Sequence, residues 1–80
     1  MNSDFENKIY SLVATHFNKK ISDLSHGTSF QKDLRADSLE VVSLLVTIED
    51  EFNFKMSDAD AVKIKTIGDA IGFAKNYLKS

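Results

Sequence analysis

Asp37-Ser38-Leu39-Glu40-Val41-Val42-Ser43-Leu44-Leu45-Val46-Thr47-Ile48-Glu49-Asp50-Glu51-Phe52 reads as one helix with its start written into it. From Leu39 to Phe52 there is no Gly, no Pro and no basic residue, and every position suits a helix or a buried face. Asp37 can accept from the amides of the first turn, and Glu40 follows three residues later as its capping-box partner. Asp37 as N-cap makes Ser38 the first helical residue. Its hydroxyl then stands outside the helix barrel, at the end where free N–H groups and the helix dipole favour an anion. A serine so placed is a good point to attach a phosphate.

Within this helix Glu40, Ser43, Thr47, Asp50 and Glu51 form a narrow polar strip. Leu39, Val41, Val42, Leu44, Leu45, Val46, Ile48 and Phe52 fill the rest, a wider apolar arc than one packed face needs. Most of that arc is expected to be buried by neighbours on several sides. Leu39 and Val46, near the first turns, are expected to stay exposed, and apolar groups beside acids mark a protein-docking surface.

Upstream, Ser3 and Glu6 read as a capping box opening a first helix, with Phe5, Ile9, Leu12, Val13 and Phe17 on one stripe. Residues 21–36 have no sustained period. Loop formers (Ser22, Asp23, Ser25, Gly27, Thr28, Ser29) dominate, with Ile21, Leu24, Phe30 and Leu34 as apolar pins and room for a helical turn near Ser29–Leu34. Downstream, Asn53-Phe54-Lys55 ends the central helix, and Ser57 or Asp58 caps a short segment running to about Ile64. Thr66 and Asp69 open a last helix whose buried side is Ile67, Ala70, Ile71, Ala74, Tyr77 and Leu78. Gly68 and Gly72 lower its helicity by ~1 kcal/mol each, so packing must hold it. The fold expected is all-α: a small bundle of three longer helices plus one short helix, with a long loop between helices one and two, as a single domain over residues 1–80.

Composition narrows the function. With 42% hydrophobic and 28% charged residues the chain is too apolar for disorder. It has no Cys, so neither disulfides nor thiolate chemistry can come from the chain itself. No apolar run approaches the ~18 residues of a membrane span and the N-terminus lacks signal-peptide regions, so a cytoplasmic monomer without stable membrane insertion is expected. Residues 36–54 carry five carboxylates and no base, a charge of −5; the remainder holds ten bases against seven acids, +3. That asymmetry suits a partner with a basic patch better than nucleic acid, for which no basic stripe with aromatics exists. A plainly solvated face is the other reading of Glu49, Asp50 and Glu51.

Enzyme constellations are missing. His16 reads as a dipole partner at the end of helix one, and His26 as a solvated loop residue; neither has metal-ligand spacing. Ser38 has no Gly-x-Ser-x-Gly elbow and no evident base. Asp58-Ala59-Asp60 starts like a calcium loop, but Val62, Lys63 and Asp69 stand where a ligand, the Gly and the closing Glu belong. No metal site and no catalytic residue are expected.

At Asp37-Ser38-Leu39 the chain closely resembles the acyl carrier proteins of fatty-acid and related synthases. Phe30-Gln31-Lys32-Asp33-Leu34 resembles the family's stretch before the motif, Glu49-Asp50-Glu51-Phe52 the acidic end of its second helix, and Lys65-Thr66-Ile67-Gly68-Asp69-Ala70 the start of its last, so that about residues 5–78 are covered. The resemblance implies a non-catalytic carrier whose Ser38 receives 4′-phosphopantetheine from coenzyme A through a phosphopantetheinyl transferase. The arm's thiol would carry acyl intermediates as thioesters in fatty-acid or related lipid or polyketide synthesis. By the same analogy Asp37, Leu39, Glu40, Val46 and Glu49 would dock acyl-transferring, condensing or ligase enzymes through their basic patches. Val42, Leu45, Ile48, Ile64 and Ile71 would line an acyl pocket while also serving as plain core. An aminoacyl or peptidyl carrier and an unmodified helical adaptor subunit are the alternatives. The chain departs from the family at Arg35, where Gly is usual, at Ser43, where a carboxylate is common, and at Met56-Ser57, in place of a frequent Ile-Pro. Housekeeping and dedicated carriers both stay open.

Overall fold

A computed structural model describes the backbone of residues 2–79 and the side chains of residues 4–78. Four α-helices follow one another: α1 (Asn2–Phe17), α2 (Ser38–Phe52), α3 (Asp58–Ala61) and α4 (Ile67–Lys79). A single 3-10 turn, Ile21–Asp23, lies in the long α1–α2 loop. This is the all-α arrangement of three longer helices and one short one. The Ser3 cap expected at the start of α1 lies outside the described side chains. Glu6, its expected partner, reaches the loop and α4, as described below.

α1 packs against both α2 and α4. Its Ile9 and Val13 meet Leu44, Leu45 and Ile48 of α2, Ile67, Ala70, Ile71 and Ala74 of α4, and Met56 and Ile64 from either side of α3 in one apolar core. Phe5 of α1 stacks on Phe52 of α2 with ring centroids 4.8 Å apart. Leu78, expected on the buried side of α4, is instead 41% exposed near the end of the helix.

The α1–α2 loop is part of the core and not a strap over it. Phe30 is buried at 1% exposure, and Thr28 and Ala36 are buried beside it. Ile21, by contrast, is about half exposed and pins nothing; the 3-10 turn carries it outward. Extended backbone at Ser29 and Thr66 forms an antiparallel bridge. Around it Phe30 N–H donates to the Lys65 carbonyl (3.0 Å), Ile67 N–H to Thr28 (3.1 Å) and Gly68 N–H to His26 (2.8 Å). The loop thereby satisfies the first amides of α4, groups that have no partner within their own helix. Gly68 admits this approach because it lacks a Cβ. The segment Ser29–Leu34 is a turn and not a helix: the Ser29 carbonyl accepts from both Asp33 and Leu34 N–H, and the Asp33 carboxylate accepts from Ser29 N–H at 2.7 Å.

α3 is shorter than its sequence segment, four residues capped by the Ser57 hydroxyl on Asp60 N–H. Tyr77 of α4 holds it. The Tyr77 hydroxyl donates to Asp60 Oδ2 (2.7 Å) and accepts from Ser57 N–H (3.0 Å), and its ring lies on Phe54.

Candidate functional site

The site is built by the step from loop to α2. Ala36 is buried and donates its N–H to the Phe30 carbonyl at 2.9 Å, which anchors the chain one residue before the cap. Asp37 follows in extended conformation. Its Oδ1 accepts from Glu40 N–H at 2.9 Å, while Glu40 Oε1 accepts from Asp37 N–H at 3.1 Å. This is the capping box expected from the sequence, and loss of such a cap costs ~1 kcal/mol. Ser38 is then the first residue of α2 and is exposed, its hydroxyl free of hydrogen bonds among the described residues. The residues fit an esterified phosphate: an open hydroxyl at the positive end of a fifteen-residue helix, on a backbone fixed from both sides.

Arg35, just upstream, has φ 55°. Asn18 and Asn53 share that left-handed region, but Asn tolerates it at helix ends, whereas for other L-residues it costs ~1–2 kcal/mol. The family's usual Gly at this position would be unstrained there.

The acidic helix is more heavily engaged than a solvated strip. Glu49, only half-buried, accepts Met56 N–H on Oε2 at 2.6 Å and so ties the α2–α3 connection to α2. Glu51 pairs with Lys8 of α1 at 3.1 Å, an exposed contact of small worth. Asp37 and Glu40 are committed to the cap. Leu39 is 80% exposed and Val46 47%, as their positions on the helix led us to expect.

Val42 is corrected by the structure. Expected in the core-lined pocket, it is 53% exposed. The reason is helical phase: Val42 lies three residues after Leu39 and four before Val46, so it shares their outward stripe. Leu45, Ile48, Ile64 and Ile71 are buried together in the core, at 4% exposure or less.

His26 is also corrected. It is not simply solvated: its Nε2 lies 2.9 Å from Glu6 Oε1, and its ring meets Tyr10 edge-on. Lys75 Nζ reaches the other Glu6 oxygen at 2.9 Å. Hydrogen bonds from Lys75 and then from His26 hold the Glu6 carboxyl below its usual value, and burial, helped by the Glu6 charge, pushes the Tyr10 hydroxyl up. This cluster joins α1, the loop and α4 across many residues of sequence, so no local pattern could have signalled it. Among the described residues no group of three or more His, Asp or Glu side chains is placed to hold a metal ion, and no helix is long and apolar enough to cross a membrane.

A helical bundle that, among the described residues, presents an unengaged serine on the first turn of a capped helix suits a domain that carries a covalent group. A family model described as a phosphopantetheine attachment site matches residues 7–74, and the chain belongs to that family. Within it the chain is similar to acyl carrier proteins. It is 42% identical to the acyl carrier protein of Porphyromonas gingivalis over 96% of this chain and 99% of that one. It is 39% identical to that of Lactobacillus acidophilus, over 89% of each, and 36% to that of Chlamydia caviae, over 88% and 91%. The solved structure of the acyl carrier protein from Enterococcus faecalis superposes with a TM-score of 0.80 at 28% identity, covering 96% of this chain and 98% of that one. The chain is thus a non-catalytic carrier with covalently attached 4′-phosphopantetheine as its prosthetic group.

Proposed function

We propose that Ser38 is the attachment point and that the protein carries acyl intermediates of fatty-acid or related synthesis in the cytoplasm. The observation that carries this reading is the exposed, unengaged Ser38 hydroxyl on the first turn of a box-capped helix. The arm, when attached, supplies the thiol that this Cys-free chain lacks and holds the acyl group there as a thioester. The chain's own residues fix the oxygen in place, keep it open to a visiting transferase, and present an exposed stripe of Leu39, Val42 and Val46 beside carboxylates. A partner enzyme with an apolar ridge framed by Lys and Arg complements that surface. Leu45, Ile48, Ile64 and Ile71 are close-packed, so an acyl chain sheltered among them has to part core side chains, with Tyr77 holding α3 at the side.

The experiment is intact mass after incubation with coenzyme A and a phosphopantetheinyl transferase. The chain is expected to gain one phosphopantetheinyl group, and Ser38→Ala none. Addition to the Ser38→Ala chain moves the attachment point elsewhere and ends this reading.

A further inference from the structure

Arg35 combines features that nothing inside the fold accounts for. It holds a left-handed backbone that suits Gly or Asn, with φ 55°. Its side chain is exposed and makes no hydrogen bond or ion pair among the described residues. It is a cation near the amino end of α2, where the helix dipole disfavours positive charge. The carboxylates closest to it in the chain each accept a backbone N–H, Asp33 from Ser29 and Asp37 from Glu40, and neither pairs with Arg35. From Asp33 to Phe54 it is the only basic residue.

What changes at this spot is the charge on Ser38. Attachment of the arm adds a phosphodiester anion to a first turn that already holds the Asp37 and Glu40 carboxylates. Three residues of chain span at most ~11 Å, a distance an arginine side chain and a Ser-linked phosphate can close between them. The loop turn and the anchored Ala36 hold the approach to this position rigidly.

We propose that Arg35 is a positioning residue for the prosthetic group, its guanidinium pairing with the phosphodiester on Ser38 and offsetting the repulsion from Asp37 and Glu40. The inference rests on Ser38 as the attachment point. Guanidinium donors form a planar fork that meets two phosphate oxygens at once, which a lysine ammonium does not. The root of the arm is thereby held against the start of α2 while its thiol end stays free.

The test compares wild type, Arg35→Gln and Arg35→Lys, each prepared with and without the arm and verified by intact mass. The readouts are the change in thermal midpoint on loading, at low and at ~1 M salt, and the phosphorus-31 resonance of the loaded forms. Relief of backbone or dipole cost alone moves both forms of a variant equally and cancels in the loading difference. Loading is expected to be more favourable to wild type than to Arg35→Gln by about 4 °C at low salt. The gap should shrink at high salt, where the Debye length is ~3 Å. Arg35→Lys should keep much of the low-salt gap but shift the phosphorus resonance away from the wild-type position. Equal loading differences in all three proteins, with one common phosphorus resonance, overturn the role of Arg35 and leave the Ser38 assignment standing. No loading of wild type at all overturns both.

Discussion

An alanine at Gly68 would set the α1–α2 loop against α4. A Cβ there stands 2.9 Å from the His26 carbonyl oxygen and 3.3 Å from His26 Cβ and Nδ1. That oxygen cannot swing aside cheaply. It accepts the Gly68 N–H at 2.8 Å, and the same loop is tied on through Phe30 to Lys65 and through Ile67 to Thr28. Alanine's helix propensity offers a gain of at most ~1 kcal/mol over Gly. Against it stand the loss of the Gly68–His26 bond, ~0.5–1.5 kcal/mol, and an overpacking cost of ~1–3 kcal/mol. The net is destabilisation by ~1–3 kcal/mol, a midpoint lower by roughly 5–20 °C in a domain this small. Gly72, one turn further on, supplies the control, because nothing lies within 4 Å of its added Cβ. Gly72→Ala should stabilise by ~0.5–1 kcal/mol. Urea and thermal denaturation followed by helical circular dichroism read both. A Gly68→Ala protein as stable as wild type, with Gly72→Ala behaving as stated, would show that the loop does not depend on its clasp to α4.

The remaining predictions concern the core and the α1–loop–α4 cluster. Ile48→Ala should cost ~2–4 kcal/mol in chemical denaturation, whereas Val42→Ala, on the outward stripe, should cost less than ~1 kcal/mol; equal losses would mean that Val42 is core after all. Glu6 titrates lower in the folded chain than its ordinary 4.5, through Lys75 first and His26 second. A depressed carboxyl stabilises the fold in full above the unfolded value and loses that contribution as pH falls through the folded one. The gap in thermal midpoint between wild type and Glu6→Gln should therefore be open at pH 7 and narrow below about pH 4.5; a gap constant down to pH 3 would refute the coupling.

The readable parts of this protein were those that local rules govern. Asp37 and Glu40 signal their capping box at a fixed spacing of three, and Thr66 with Asp69 does the same: Asp69 N–H donates to the Thr66 hydroxyl at 3.1 Å. Ser38, lying one residue after such a cap, could be placed on the first turn from sequence alone. Period and composition could not say how the loop would be used. Phe30 could be named as an apolar pin of the loop, but nothing local says that the loop closes on the start of α4 or that Gly68 is a contact and not merely a weak helix former. Both follow from pairing between residues far apart in the chain. Val42 failed for a different reason. An arc of eight apolar residues on α2 exceeds what its neighbours can cover; Leu39 and Val46 were expected on the uncovered edge, and Val42, between them on the same stripe, was instead assigned to the pocket.

The carboxylates of α2 also answer a question that charge counting leaves open. A face used for docking gains little if its acids are long, free side chains that must be ordered when a partner arrives. Here Asp37 and Glu40 are fixed by each other's backbone, and Glu49 by Met56 N–H. The ordering has been done in folding, so a basic partner would meet charges already in position. The same commitments mean that charge reversal at Glu40 or Glu49 injures the fold along with the surface. Gln removes the charge and can still accept either backbone N–H. Neutral substitution would therefore isolate the electrostatic share of the proposed docking, and the exposed stripe of Leu39, Val42 and Val46 would account for what salt and neutralisation leave behind.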